Sequence, residues 1–370
     1  MNRRAGFFAV LLAAITGMAG AANDAPVPRD YFGLHIHRAD QGTAWPTVPF
    51  GSWRLWDSYV GWAQLEPKKG QWDFTRLDRY VAMAGLTKVD ILLPLAMTPR
   101  WASARPDEAS AYQPGNVAEP AKLADWTNYV STVGARYKGK IKHYEVWNEP
   151  SDKTHYSGDL ATLVKLTCEA KRVLREIDPT IKLVSPASAG GGRHIEFLDN
   201  FLAAGGAKCV DIVAHHFYVF KASPEAMIPL IRGVKKVMTA NGVGHLPLWN
   251  TETGYWIENG DGTPDHPMVA KGGWKRLGHE KESGDYLMRA FLIARAEGVD
   301  RFYWYSWDNR YGLGMVEPTT GQPKPMVEAW RSLAGKLIGA TKLVCKETSE
   351  KWSCSFVQQS GETIGITWSK

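Results

Sequence analysis

Ile141–Pro150, IKHYEVWNEP, is a short apolar run that stops at an adjacent amide and carboxyl side chain, Asn148 and Glu149. A buried strand that delivers a polar pair at its C-terminal end belongs to parallel α/β architecture, where functional groups collect at the strand ends. Working outward, similar runs recur. Upstream stand Tyr31–Arg38, residues 50–57 and Asp90–Met97; downstream stand Ile181–Pro186, Val210–Phe220, Leu246–Trp256 and Arg301–Trp307. Between them, apolar residues repeat at helical spacing over 74–85, 121–138, 159–177, 195–204, 224–240, 285–297 and 324–338. Asp73 is placed to cap the first of these helices, and Asp178-Pro179 closes the third. Eight strands alternating with helices predict an α/β fold, a (β/α)₈ TIM barrel over 22–339. Residues 340–370 alternate as two or three short strands, a small C-terminal β appendage.

The strand ends carry chemistry. Glu149, flanked by Val146 and Trp147, is expected to stay protonated near neutral pH, which suits it to donate a proton to a leaving oxygen. Asn148 offers an amide donor beside it. Leu246–Trp256, LPLWNTETGYW, supplies a second carboxylate of the same kind in Glu252. The two glutamates are 103 residues apart, three units of about 34 residues, a length suited to a βα repeat in a barrel. One Asn-Glu pair is a poor signal; two such strands in order and at this spacing are a strong one.

YEVWNEP and WNTETG resemble the fourth and seventh barrel strands of the large clan of retaining glycoside hydrolases, and within it most closely glycoside hydrolase family 39. The resemblance covers about residues 31 to 339. It implies Glu149 as acid/base, Glu252 as nucleophile, and Asn148 bonding the hydroxyl next to the reacting carbon. His216 and Tyr218 match the clan's sixth-strand His-x-Tyr, in which the tyrosine steadies the nucleophile; core packing is the plainer reading. Trp304, in the order Trp-x-x-x-Asp-Asn, matches the eighth-strand platform under the reacting sugar. Arg54 matches a second-strand arginine that pairs with the nucleophile, with a structural ion pair as its alternative. The family includes xylosidases, iduronidases and enzymes that cut bacterial exopolysaccharides. It implies no cofactor and a polysaccharide or oligosaccharide substrate. The short appendage departs from the fuller β-sandwich of many members, and a monomer is expected.

His35 and His37 are two residues apart and so share a face. They are expected to contact the sugar, but they also open a competing reading. A first-strand HxH with His216 and Asp308 outlines a metal-dependent amidohydrolase, which needs a Lys or His on strand four or five. SPASAG on the fifth offers neither, and Lys142 lies at the wrong end of the fourth. A barrel that binds polysaccharide without cutting it is the third class, disfavoured by the presence of both carboxylates.

Sixteen tryptophans in 370 residues exceed what a core alone requires, and those in loops, Trp101 and Trp256 among them, are expected to be platforms for sugar rings. That expectation favours an endo-acting enzyme on bacterial exopolysaccharide, with an exo-acting xylosidase-like enzyme as the alternative. The stretch 257–284 is read as a structureless loop, and one that long inside a compact domain is usually functional.

Residues 1–21 have the form of an export signal: Arg3 and Arg4, an apolar run from Phe7 to Ile15, and Ala19-Gly20-Ala21. That run is shorter than the ~20 residues of a spanning helix, so export to the periplasm or beyond is expected rather than an anchor. Removing Arg3 and Arg4 lowers the formal charge from +6 to +4, with no nucleic-acid motif among the scattered basic residues. Four cysteines allow three pairings. Cys345 and Cys354 flank a short turn and are the expected bridge, whereas Cys168, on the apolar side of a helix, is expected to be a buried free thiol. No Cys/His cluster suggests zinc.

Overall fold

The computed structural model describes residues 25–370; the expected export signal at 1–21 lies outside the described residues. The barrel strands are β1 (Phe32–Leu34), β2 (Ser52–Arg54), β3 (Asp90–Leu95), β4 (His143–Val146), β5 (Lys182–Val184), β6 (Val213–His216), β7 (Leu248–Thr253) and β8 (Arg301–Trp304). Each pairs in parallel with its sequence neighbour from β1 to β5 and from β6 to β8, and β8 pairs with β1. The ladder closes between β5 and β6 through Val184 against Ile212 and through Ser188–Ala189 against His215 and His216. The helices are α1 (Thr75–Thr87), α2 (Leu123–Arg136), α3 (Leu160–Ile177), α4 (Arg193–Ala203), α5 (Met227–Ala240), α6 (Lys281–Ala296) and α7 (Met326–Leu337). The result is the expected (β/α)₈ barrel.

The strands are buried on both faces because helices cover them outside and side chains fill them inside. That is why β3 reads as an unbroken apolar run. Helix boundaries follow local chemistry. Asp159 caps α3 by accepting from the Thr162 N–H at 2.6 Å, and the Asp73 carboxylate accepts from Thr75 N–H at the start of α1. Most of the tryptophan surplus is packing. Trp62 stacks on Tyr129 at 4.7 Å between ring centres, and Trp53, Trp126, Trp147, Trp307 and Trp330 are fully buried.

Two expectations need correction. Cys168 is not a free thiol: it is half-buried at the margin of the apolar face of α3, within disulfide reach of Cys209 in the turn after α4, and the two are bonded. The loop 257–284 is not structureless. It contains a short helix, Pro267–Gly272, and a two-residue parallel ladder of Trp256–Ile257 against Arg276–Leu277, and α6 already begins at Lys281. Buried Glu317, from the segment after β8, holds this loop by accepting from the Gly260 N–H (3.0 Å) and from His279 Nε2 (2.7 Å).

Residues 341–369 form an antiparallel sheet of β9 (Thr341–Glu347), β10 (Lys351–Val357) and β11 (Thr363–Ser369). Cys345 and Cys354 face each other across β9 and β10 and form the expected disulfide. One face, with Leu343, Cys354 and Phe356, joins the barrel's apolar core, while Trp368 donates to Glu225 Oε1 at 2.6 Å. Among the described residues, no helix is long and apolar enough to cross a membrane.

Candidate active site

Barrel closure brings the predicted residues of β2, β4, β6 and β7 together at one mouth. Arg54, at the end of β2, is fully buried and uses its whole fork: Nε donates to Glu145 Oε2 (2.6 Å), one terminal nitrogen to Glu252 Oε2 (2.8 Å) and the other to Asn148 Oδ1 (2.7 Å). Burial works against its charge, but Glu145 and Glu252 outweigh burial and raise its pKa. The Tyr218 hydroxyl donates to the other oxygen of Glu252 at 2.8 Å. Asn148 is thereby oriented with its carbonyl on Arg54, leaving the amide nitrogen for a ligand.

Glu149 lies past the end of β4 with φ +46, and Trp147 before it has φ +63. Left-handed backbone at two non-glycine residues is strain that the surroundings must hold, and such strain gathers at functional sites. The Glu149 N–H donates to Ala187 O (2.8 Å), and the Trp147 indole N–H to His155 O (2.8 Å). The carboxyl turns toward two imidazoles: His216 Nδ1 is 2.8 Å from Oε1, and His155 Nε2 is 3.9 Å from Oε2.

Oxygens of Glu149 and Glu252 lie within 4.8 Å of each other, and a His216 ring nitrogen lies within the same distance of both. Two carboxyls this close, Glu252 buried and Glu149 half-buried, titrate as a coupled pair. Burial, reinforced by the carboxylates of Glu149 and Asp57 and opposed by His216 and Arg54, pushes Glu252 up to about 7. Burial also acts on Glu149, but there the contact with His216 wins and the carboxyl lies below its ordinary range. The expectation of a protonated Glu149 is therefore corrected for the sugar-free site. Val146 and Trp147 flank Glu149 in sequence, yet its side chain points at histidines. The charge of Arg54 is favoured while that of its partner Glu252 is not. The difference is that Arg54 divides its fork between two carboxylates, with Glu145 taking the shorter contact.

A cleft of about 680 Å³ lies over the pair, walled by Tyr112, His155, Tyr218, Phe220, Trp256 and Tyr305. Trp256 stacks on Trp274 at 5.5 Å between ring centres and lines this space. Other predicted residues sit elsewhere. Trp304 does not line the cleft: it is fully buried against Phe291 and Tyr255, because alternation along β8 sends it outward to α6 and brings Tyr305 inward. Trp101 packs edge-on against Trp62 with its N–H on Glu66 O, away from the cleft. His35 and His37 do share a face, both against Tyr305, but His35 is sealed below with Nε2 on Thr251 O (3.0 Å), and burial holds its pKa well below the usual value.

The amidohydrolase set does not assemble. Asp308 is occupied by the backbone N–H groups of His37 and Arg38 and by the Thr43 hydroxyl, and His35 is bonded to a backbone carbonyl. Among the described residues, the cluster with metal-ligand spacing is Glu149, His216 and Glu252. Sequence reading missed Glu145, which accepts from both Arg54 and Thr251 Oγ1 (2.8 Å). A glutamate in the middle of an apolar strand was the signal. Tyr305, Trp56 and Asp57 were also missed, and only their place at strand ends could have flagged them.

Fold and site together define the class: an eight-stranded parallel barrel with two glutamate carboxyls converging from strands four and seven. The model of glycosyl hydrolases family 39 matches residues 57–254, and the chain belongs to that family. A β-xylosidase of Geobacillus stearothermophilus is 25% identical over an alignment of 207 positions that covers 49% of this chain and 40% of that protein, so the chain spans well under half of that relative. Among solved structures, a family 39 glycoside hydrolase from the gut symbiont Bacteroides cellulosilyticus WH2 superposes with a TM-score of 0.69 at 19% identity, covering 93% of this chain and 71% of the other. A monomeric β-xylosidase from Caulobacter crescentus CB15 gives 0.66 at 20% identity, covering 90% and 75%.

Proposed function

We propose that this protein is a retaining glycoside hydrolase. The observation that carries the reading is the spacing of the carboxyls: one oxygen of each within 4.8 Å of the other fits the roughly 5–5.5 Å of double displacement better than the ~6.5–9.5 Å of an inverting enzyme. Glu252 attacks the anomeric carbon, held by Arg54 and Tyr218 on its two oxygens. Glu149 protonates the departing oxygen and then, as a carboxylate, takes a proton from the water that frees the sugar. Asn148 donates from its free amide nitrogen to the hydroxyl beside the reacting carbon.

The proton starts on the wrong partner and must be on Glu149 for turnover. Positive charge growing on the sugar ring above Glu252 favours its ionised form, so binding and bond cleavage pull the shared proton toward Glu149. Exchange across so short a gap conserves the charge of the pair.

Substrate choice is the finer part of the reading. The names of the relatives support an exo-acting β-xylosidase, and we take a β-xyloside as the first substrate to test. The endo-acting alternative on exopolysaccharide retains Trp256 in the cleft as support but loses Trp101. Two disulfides support export to an oxidising compartment. The deciding experiment is proton NMR of the first product from 4-nitrophenyl β-xyloside and related aryl glycosides. Retained configuration, with Glu252 esterified by a matching activated fluorosugar, supports the proposal. Inverted product would make Glu252 a base acting through water and sink it.

A further inference from the structure

Beside the cleft over the carboxyl pair lies a second one of about 670 Å³, between the segments that follow β1, β2, β3 and β8. Trp56, Asp57, Tyr112, Tyr305, Asn309 and Tyr311 line both, so the two spaces meet at one ring of side chains. Three observations set this second cleft apart from ordinary surface relief.

First, among the described residues three large apolar side chains are exposed, and two of them line it: Tyr59 at 54% and Tyr311 at 58%. The third, Leu86, is on α1. Solvated rings at the rim of a cleft are surfaces for the apolar face of a sugar. Second, two buried polar atoms on its lining have no hydrogen-bond partner among the described residues, His37 Nε2 and Gln64 Oε1. Such atoms are rare in folded proteins, and a ring nitrogen and an amide oxygen both complement hydroxyl groups. Third, the cleft has a defined direction. The proton donor Glu149 touches His216 and His155, on the side of β6 and the segment after β4, so the leaving group departs there. The second cleft opens on the opposite side, past Tyr305 and Asp57, where the chain beyond the reacting sugar would continue.

We infer that this second cleft binds at least one further sugar residue attached to the non-reducing side of the reacting sugar, stacked on Tyr59 or Tyr311 and bonded by His37 and Gln64. The enzyme's preferred glycone is then a disaccharide or longer segment rather than a single terminal sugar. This inference rests on the glycosidase reading and deepens it, because a site built only for terminal xylosides has no use for the extension.

The test compares 4-nitrophenyl β-xyloside with 4-nitrophenyl β-xylobioside, which share leaving group and reacting sugar. The disaccharide glycone should raise kcat/KM roughly tenfold or more, since binding energy from the remote sugar is expressed at the reacting centre. Tyr59→Ala combined with Gln64→Ala should bring the ratio back toward one while leaving the xyloside constant unchanged. Equal constants in the wild type, or a ratio that ignores the double variant, overturns the inference. Should neither xyloside be cleaved, the choice of xylose fails separately. The cleft is then tested by affinity electrophoresis of Glu252→Gln protein in gels containing xylan, β-glucan, mannan or galactan. Retardation by any of these that is lost on adding the two substitutions supports the second cleft. No retardation in any gel, or equal retardation with and without them, rules it out.

Discussion

Glu252 and Glu149 are the same residue type at two walls of one barrel mouth, and their surroundings differ in kind. Glu252 sits within β7 in regular extended backbone, with a buried guanidinium on one oxygen and a tyrosine hydroxyl on the other. Glu149 sits past the end of β4 on left-handed backbone, and its neighbours are two imidazoles. The first wall fixes geometry. The second surrounds the carboxyl with ring nitrogens, His216 Nδ1 at 2.8 Å and His155 Nε2 at 3.9 Å, rather than with a fixed cation. Under the proposed roles a nucleophile needs position and an acid/base needs exchange, and the difference in neighbours suits each.

The largest effects should come from removing the carboxyls themselves. Glu252→Gln is expected to lower kcat at least ~10⁴-fold on any substrate, because no other group can form the covalent bond. Glu149→Gln should cost about 10²–10⁴, and less with a dinitrophenyl leaving group that needs no protonation. Steady-state rates on two aryl glycosides, with circular dichroism to show intact folds, measure both; equal losses on both leaving groups would break the distinction between the walls.

Next in size is the fixed wall. Arg54→Met strips the cation from buried Glu145 and from Glu252, and breaking such a buried pair should destabilise the protein by about 3–5 kcal/mol. Urea unfolding would show it. A loss below about 1 kcal/mol would mean that the network behaves like a surface pair.

The smallest effects concern protons. Glu252 has its pKa raised by burial and by Glu149, so Glu149→Gln should lower it. The rate at which an activated fluorosugar inactivates the enzyme, followed against pH, reports the ionised nucleophile directly; an unchanged or rising midpoint would contradict the shared-proton account. The same elevation has a consequence for stability, with the sign set by linkage. The stabilising contribution of a carboxyl whose folded pKa is raised is complete below its unfolded value and is lost as pH climbs through the folded value, about 7 here. The Tm of wild type should therefore fall relative to that of Glu252→Gln between pH 5 and 8. His216→Phe should act on the other wall, raising the pKa of Glu149 by removing the contact that lowers it.

How much of this was legible in the sequence depended on whether a residue's role is local. Barrel strands, helices and the two glutamates were readable because periodicity and strand ends are local properties. Tyr305 was not, and Trp304 was chosen in its place, because a one-residue difference along β8 reverses which side chain points inward and no pattern in RFYWYSWD fixes that register. The Cys168 bridge was missed because its partner lies 41 residues away on another element. The protonation order was missed because the neighbours that decide it, His216 and His155, reach Glu149 from other segments of the chain.

The grip of Glu317 on the segment after β7 bears on how such barrels can be recombined. Its carboxylate accepts from Gly260 and His279, Asp261 accepts from the Thr319 N–H, and Lys324 donates to Asn259, so bonds cross between 257–284 and 309–325 in both directions. The two segments are one exchangeable module although they are far apart in sequence. A chimera that imports 257–284 alone from a relative would strand a buried carboxylate and a buried ammonium, whereas one that imports both segments carries its own fastenings. Crossover points for family shuffling therefore belong before residue 257 and after residue 325, not between β7 and β8.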